Sequence, residues 1–485
     1  MLETNQSTVA DRSVRLPLLV LAALVAAIGA LESMPFPALP LIQRELGLDP
    51  AQAGLLSTTL ILTGAVAMPI VGKLADNHDP RRVLLGVTWC LVAGGTLAAF
   101  AGSFGLMLAA QFLQGIGTGI VPVTFALVRG FLPAGRMPPA VGLVAGVFVL
   151  GGGLGILSAG PLADALSRRW MFLTPTLVVA ALALVAPLLL PRTGDRRERA
   201  GRLDWLGALL LAAALVTLMM GLSLVSKTGW PASLGLLALA GLLTAGWTLV
   251  ERRARNPLID LRLLQRRGVW SSCLAAAVMG AGYAVSFFLI PQLLALPPRT
   301  AGFGFGASPS TISLYLFPPV VAAVIVGPLA GFLVRRLGSR AVVGTGLALT
   351  ATGALVALGW HSSPWQIVLS AVLTAGLGAC AASTALYTAV IESVPASDTG
   401  VATALSGILR GVGAAVGVQV AAAVLTASSD PATALPREWG FQLGFALSAG
   451  IALLPLLTAF ALPGRARQDT QVPLPAGAAV TPVAR

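Results

Sequence analysis

Apolar residues in this chain come in runs too long for the core of a soluble globule, separated by short segments that hold nearly all of its Arg, Lys, Asp and Glu. An α-helix needs about 20 apolar residues to cross a hydrocarbon layer about 30 Å thick. Runs of that kind predict helical spans at approximately 16–37, 51–74, 82–101, 104–127, 139–163, 171–190, 204–226, 231–250, 269–296, 311–334, 340–360, 365–391, 400–425 and 440–462, about fourteen in all. The expected fold class is therefore all-α integral membrane.

Composition agrees with that pattern. A hydrophobic fraction of 56%, only 10% charged residues and a mean hydropathy of +0.88 leave too little polar surface to coat a soluble particle. The net charge of +13 is spread over short loops rather than gathered in one nucleic-acid-binding patch, so it reads as orientation. With the N-terminus in the cytoplasm, that side carries Arg12, Arg15, Lys73, Arg81, Arg82, Arg129, Arg136, the Arg192 to Arg202 and Arg252 to Arg267 clusters, Arg335, Arg336, Arg340, Arg465, Arg467 and Arg485. The opposite side has Arg44, Arg168, Arg169, Lys227, Arg299 and Arg437. This bias predicts cytoplasmic termini, and an even number of spans, in a plasma-membrane protein. The first span exceeds a signal-peptide core and runs into a Pro-rich stretch, so it is expected to be retained. Cys90, Cys273 and Cys380 all fall within spans and are far apart, which points to packing rather than to a disulfide framework or a metal site.

Charged linkers divide the chain. The expected organisation is a tail (1–15), a first bundle of six spans (16–190), a linker (191–203), a central pair of spans (204–250), a second linker (251–268), a second bundle of six spans (269–462) and a tail (463–485). Each bundle contains a basic loop preceded by Gly, GKLADNHDPRR at Gly72 to Arg82 and GPLAGFLVRRLGSR at Gly327 to Arg340, as a transporter built from repeats would. Many of the 55 Gly residues lie inside spans, in GIGTG (Gly115 to Gly119), GGGLG (Gly151 to Gly155) and GVGAAVG (Gly411 to Gly417). With neither a flanking strand nor a phosphate-binding Lys, these read as sites of close helix–helix approach rather than nucleotide loops.

Several segments together resemble the fourteen-span drug:proton antiporters of the major facilitator superfamily, over about Leu16 to Pro463. LESMPFPALP (Leu31 to Pro40) is similar to that family's motif at the end of the first span, with Glu32 where an Asp is usual. The Gly72 to Arg82 loop resembles its signature loop, keeping Gly72, Asp76 and Arg81 and departing at Asn77, Asp79 and Pro80. LDWLG (Leu203 to Gly207) and NPLIDLRLL (Asn256 to Leu264) resemble the edges of its extra central pair. Gln111, in AAQFLQGIGTG (Ala109 to Gly119), stands where the family usually has an Arg. Ile156 replaces a Pro in GGGLGILSAGP (Gly151 to Pro161). The resemblance implies two six-helix bundles plus two central helices, export of drug-like compounds, and no cofactor.

Glu32 is the leading candidate for chemistry. From an entry near Leu16 it would lie about 24 Å deep, where a carboxylate costs several kcal/mol and is seldom kept without a use. A carboxyl taken out of water prefers to hold its proton. The expected role is proton coupling, and the competing one is a side chain reaching the outer headgroups. Gln111, at a similar depth, and Gln114 are candidate supporting groups. Arg410 is a second deep charge that needs a partner acid, a substrate anion or a watery cavity. Asp76 and Arg81, with Gly72, form a candidate conformational latch against the plainer reading of a solvated basic loop. Tyr283, Phe287, Phe288 and Gln292 in the ninth span, with Tyr315 and Phe317 in the tenth, could line a cavity for an apolar or amphipathic molecule, or face lipid instead.

Three functions compete on these residues: proton-coupled export of drugs or secondary metabolites by alternating access, proton-coupled import or lipid carriage on the same fold, and a membrane enzyme or receptor. The third lacks residues. His78 and His361 fall in loops on opposite faces, and no Ser/His/Asp, Cys/His or metal set assembles. The expected partners are a small-molecule substrate, protons and membrane lipid, with no nucleic acid, and the expected state is monomeric.

Overall fold

The computed structural model describes residues 3–131, 137–190, 204–228, 230–254, 261–395, 399–431 and 433–459. The linker 191–203, part of the second linker and the tail from 460 lie outside them, and with them most of the basic clusters expected there. The first half comprises α1 (Glu3–Ser33), α2 (Pro35–Leu46), α3 (Pro50–Asn77), α4 (Pro80–Phe100), α5 (Phe104–Ile116), α6 (Ile120–Phe131), α7 (Met137–Ala165) and α8 (Arg168–Leu189). A pair follows, α9 (Trp205–Thr228) and α10 (Trp230–Arg253). The second half comprises α11 (Arg267–Ala295), the short α12 (Pro298–Ala301), α13 (Pro309–Leu337), α14 (Ser339–Gly359), α15 (Pro364–Ala371), α16 (Cys380–Glu392), α17 (Thr399–Ser428) and α18 (Glu438–Ala459). Among the described residues thirteen segments are long and apolar enough to cross a membrane. α18 occupies the position of the fourteenth predicted span.

Local sequence explains where the helices start. Asp49 opens α3 with a capping box: its carboxylate accepts from the Gln52 main-chain N–H at 2.7 Å, the Gln52 side chain accepts from the Asp49 N–H at 3.1 Å, and Pro50 follows. Asp79 caps α4 by accepting from the Arg81 N–H at 3.1 Å, again with Pro next. The departures of the basic loop from the family pattern at Asp79 and Pro80 are thus a helix start. α13 ends at Gly338, whose φ of 85° suits a residue without a Cβ.

Three features depart from the expected spans. The first span does not stop near residue 37: after a single turn residue, Met34, α2 carries the chain on to Leu46. The fourth span is interrupted by a 3-10 turn at Gly117–Gly119, and the twelfth contains a π-helical stretch at Val372–Ala379.

The two halves repeat one crossing. A Cβ added at Gly151 or Gly155 on α7 would strike the main chain of Ala26 or Ala30 on α1; one added at Gly413 or Gly417 on α17 would strike that of Ala277 or Ala281 on α11. Gly29 meets the Phe148 carbonyl as Gly280 meets that of Arg410. A constant offset of 251 residues relates Ala26, Gly29 and Ala30 to Ala277, Gly280 and Ala281, and one of 262 relates Gly151 and Gly155 to Gly413 and Gly417. Backbones this close exchange dispersion contacts that only small residues permit. The same offsets match Glu32 with Tyr283, and Phe148 with Arg410.

Each half has its own core, around Leu24, Ile28, Leu84 and Phe172 in the first and around Val285, Leu289, Phe441 and Phe445 in the second. Large apolar side chains such as Leu188, Leu209 and Leu242 point outward, as lipid contact requires. The pair α9–α10 joins both halves: Ala208, Leu211, Leu215 and Met219 of α9 pack with Leu62 and Ala65 of α3 and Ala415 of α17. Where it meets the end of α3, Lys73 faces the carboxylates of Glu251 and Asp204. Gly207 leaves room for both acids, since a Cβ there would lie 2.8 Å from Glu251 Oε2.

At the end of the bundle where α3 and α13 begin, the halves are tied directly. Gln419 Nε2 donates to Thr58 Oγ1 at 2.9 Å, the Gly160 N–H to Ser313 Oγ at 2.9 Å and the Ser310 N–H to Asp164 Oδ2 at 2.9 Å, while the Gln292 and Gln43 amides pair. Buried Arg168 braces the same end of the first half. It pairs with Glu45 at 2.5 Å and donates to the carbonyls of Ala98 at 3.0 Å and Ala101 at 2.9 Å.

Candidate functional site

A cavity of about 470 Å³ lies between the two halves, in the size range of sites for drug-sized molecules. Its wall is built at mid-bundle by α1–α3, the 3-10 turn and α7 of the first half, and by α11, α13, the π-helical stretch and α17 of the second. Most of the surface is aliphatic, glycine or aromatic. Ser33, Thr118, Thr374, Tyr283 and Arg410 supply the polar side chains, and among the described residues that line it there is no Asp, Glu or Lys.

Tyr283 and Phe287, both predicted for the cavity, line it. Phe287 meets Phe36 of the first half edge to face at 5.0 Å and is tilted against Tyr283 at 5.3 Å. These three rings form an aromatic wall shared by both halves. Phe288, the next residue, turns about 100° away on the helix and is buried in the core of the second half. Gln292 lies beyond the cavity and pairs with Gln43; Tyr315 stacks edge-on with Trp365 at 5.8 Å; Phe317 is half-buried outside the lining. Those four residues share the right spans but not the right faces. Phe36, Thr118, Phe148 and Thr374 line the cavity without having been singled out. Phe36 and Thr118 sit within the two motifs quoted above, so the segments were visible while their inward faces were not.

Arg410 projects into the cavity from α17. Its guanidinium donates to the Tyr387 hydroxyl and faces that of Tyr283, and its Nε is without a protein partner. Both neighbours are phenol hydroxyls and neither is a carboxylate.

Glu32 is buried, with 6% of its surface exposed, and does not line the cavity. Its Oε1 lies against Gly117, where a Cβ would come within 2.9 Å of it, and makes no hydrogen bond within the protein. The carboxyl therefore sits just behind the wall, adjacent in sequence to Ser33 and packed beside the neighbour of Thr118, both of which line it. Glu32, in the last turn of α1, meets the 3-10 turn at Gly117, about 9 Å along the helix beyond Gln111 rather than level with it as expected. Gln114 stands one turn from Gly117 and is the nearer amide along the chain. Gln111 and Gln114 are both buried in the first half with unpartnered amide atoms.

The proposed latch is not paired in this conformation. Arg81 donates to the main-chain oxygen of Pro187 on α8, Asp76 is exposed, and a Cβ added at Gly72 would meet Pro122 at an ordinary 3.5 Å. The nearby Lys73 is the loop cation that faces acids.

A family model described as Major Facilitator Superfamily matches residues 21–289 and 272–484. The chain is 29% identical over 305 residues to a Multidrug resistance protein B homolog from Mycobacterium tuberculosis, covering 61% of this chain and 54% of that one. It is 27% identical over 372 residues to a uridine/deoxyuridine transporter from Lactococcus lactis, covering 72% and 75%. The chain spans about half the length of several curated relatives it matches, as with the first of these. In fold it is similar to a peptide transporter crystallised with sulfate, with a TM-score of 0.67 at 17% identity over 92% of this chain and 96% of that one.

Proposed function

Since the chain belongs to the major facilitator superfamily, and is a multi-pass membrane transporter rather than an enzyme, we propose that it is a proton-coupled exporter of hydrophobic or amphipathic compounds working by alternating access. The observation that carries this reading is the placement of a buried carboxyl one residue behind an apolar, aromatic-walled cavity between two repeat-related halves. A group there can exchange a proton as the wall moves, and the neutral amides of Gln111 and Gln114 leave it free to do so without a fixed counter-charge.

Alternating access would use the pairs already described. The hydrogen bonds from Gln419 to Thr58 and between α7 and α13 close the end where α3 begins, which by charge distribution is the outer end. Opening that end breaks them. Arg81 would then exchange the Pro187 carbonyl for Asp76, with Gly72 allowing the approach, and two arrangements a few kcal/mol apart are what a rocking transporter needs. The protein would act in the plasma membrane as a monomer with cytoplasmic termini.

The test is flux in proteoliposomes holding the full chain, with an imposed pH gradient and the fluorescent amphipath dansylamide as cargo. Gradient-driven accumulation that Glu32→Gln removes is the expected result. Full gradient dependence in Glu32→Gln would remove Glu32 from the mechanism. The similarity to a uridine/deoxyuridine transporter favours a second reading, import, and gradient-driven inward flux of uridine without dansylamide movement would select it.

A further inference from the structure

We propose that the cavity selects amphipathic monoanions, compounds that set a carboxylate or phenolate against Arg410 while an aromatic body lies between Phe36, Phe148 and Phe287. The proposal deepens the transport reading above and rests on it. Its basis is the charge balance of the wall. Arg410 brings a full positive charge to a lining that, among the described residues, holds no Asp, Glu or Lys. The guanidinium is a planar fork of five donors that matches a carboxylate with two parallel hydrogen bonds. Here it spends donors on Tyr387 while Nε remains unpartnered.

A cationic substrate would meet the opposite situation. It would bring its charge near Arg410 with no acid in the lining to offset the repulsion, in surroundings where charges are weakly screened. Glu32 cannot serve as that acid in this conformation, because its carboxyl lies behind the wall against Gly117. The repeat makes the asymmetry plain. The position on α7 that corresponds to Arg410 is the apolar Phe148, so the charge is confined to the wall of the second half. The rings of Phe36, Phe148 and Phe287 and the aliphatic lining then receive the apolar body. An anionic lipid headgroup offers the same chemistry as a small-molecule anion, and the two must be separated by experiment.

Three probes with one fluorophore make the test: dansylglycine, an anion; dansylglycinamide, uncharged; and dansylcadaverine, a cation. Equilibrium binding is read by dansyl fluorescence on the full chain in phosphatidylcholine nanodiscs at neutral pH. Dansylglycine is expected to bind roughly tenfold more tightly than the amide, as one charge-assisted pair would give. Arg410→Gln should erase that ratio while keeping amide binding, which also reports an intact cavity, and Arg410→Lys should keep part of it. Binding of dansylcadaverine at least as tight as dansylglycine, a ratio that survives Arg410→Gln, or no binding of any probe would overturn the proposal. So would loss of dansylglycine binding when phosphatidylglycerol is added to the nanodiscs, which would assign the site to lipid. The transport reading fails separately: anion-selective binding without gradient-driven flux would leave the site and remove the coupling, whereas gradient-driven flux of dansylcadaverine equal to that of dansylglycine would do the reverse.

Discussion

Gly413→Ala should destabilise the protein although Ala is the better helix former. In the interior of a helix the substitution gains about 1 kcal/mol from backbone propensity. At Gly413, however, the new Cβ would lie 2.6 Å from the Ala277 carbonyl carbon and 2.9 Å from its Cα, and nearer still to its oxygen. These are main-chain atoms of α11, which cannot rotate away as a side chain can. Relief requires α11 and α17 to move apart by roughly 1 Å or more, since the carbonyl oxygen is the nearest atom, which forfeits about half of the dispersion energy of each contact along the seam. Overpacking of this kind costs about 1–3 kcal/mol, so the net effect is a loss of up to about 2 kcal/mol. Gly86→Ala and Gly241→Ala are the controls. Both positions have open space around the added Cβ, so only the propensity gain of about 1 kcal/mol remains. Cys273 is fully buried, and its exposure to a thiol-reactive dye reports melting in detergent. The expected order of melting temperatures is Gly241→Ala above the unmodified protein above Gly413→Ala, and Gly413→Ala melting level with the controls would refute the close crossing.

Three further outcomes follow from the packing. Gln419→Leu removes the hydrogen bond to Thr58, worth about 1 kcal/mol, and should raise the population open at that end about fivefold; spin labels at Arg44→Cys and Arg299→Cys would read it as a larger long-distance fraction, and an unchanged distance distribution would deny the tie. Glu251→Gln keeps the shape but takes the charge from the acid facing Lys73, and should cost about 1–3 kcal/mol, below the range for a fully buried pair; equal melting would mean that the pair α9–α10 is held by its apolar seam only. Arg168→Ala removes the pairing to Glu45 and two carbonyl contacts, with an expected loss of about 3 kcal/mol, and Arg168→Lys should recover only part because an ammonium cannot reproduce the planar fork; full recovery by Lys would count against that geometry.

The residues differ in how far their surroundings could be read beforehand. Glu32 and Arg410 were conspicuous because a charge inside an apolar run is rare and costly wherever the helix faces. Phe287 and Phe288 were equally visible, yet only one lines the cavity, since adjacent residues on a helix point about 100° apart and apolar sequence on all sides leaves no periodicity to say which faces inward. Gly151 and Gly413 could be seen as small residues within spans. That Gly151 faces the backbone of α1 and Gly413 that of α11 was decided only by the packing of the helices.

The sequence by itself determined the membrane class, the approximate positions of the spans, the two-bundle plan with its inserted pair and the identity of the deep charges, because lipid penalises every exposed charge and unpaired peptide group and so writes those features into local composition. Tertiary structure decided the rest. That the carboxyl of Glu32 rests behind the wall while Arg410 enters the cavity, that Lys73 and not Arg81 faces acids, and that α2 carries the first span onward all depend on helix rotation and approach. Those are set by contacts between segments far apart in the chain, where a rotation of one residue's arc exchanges lining for core.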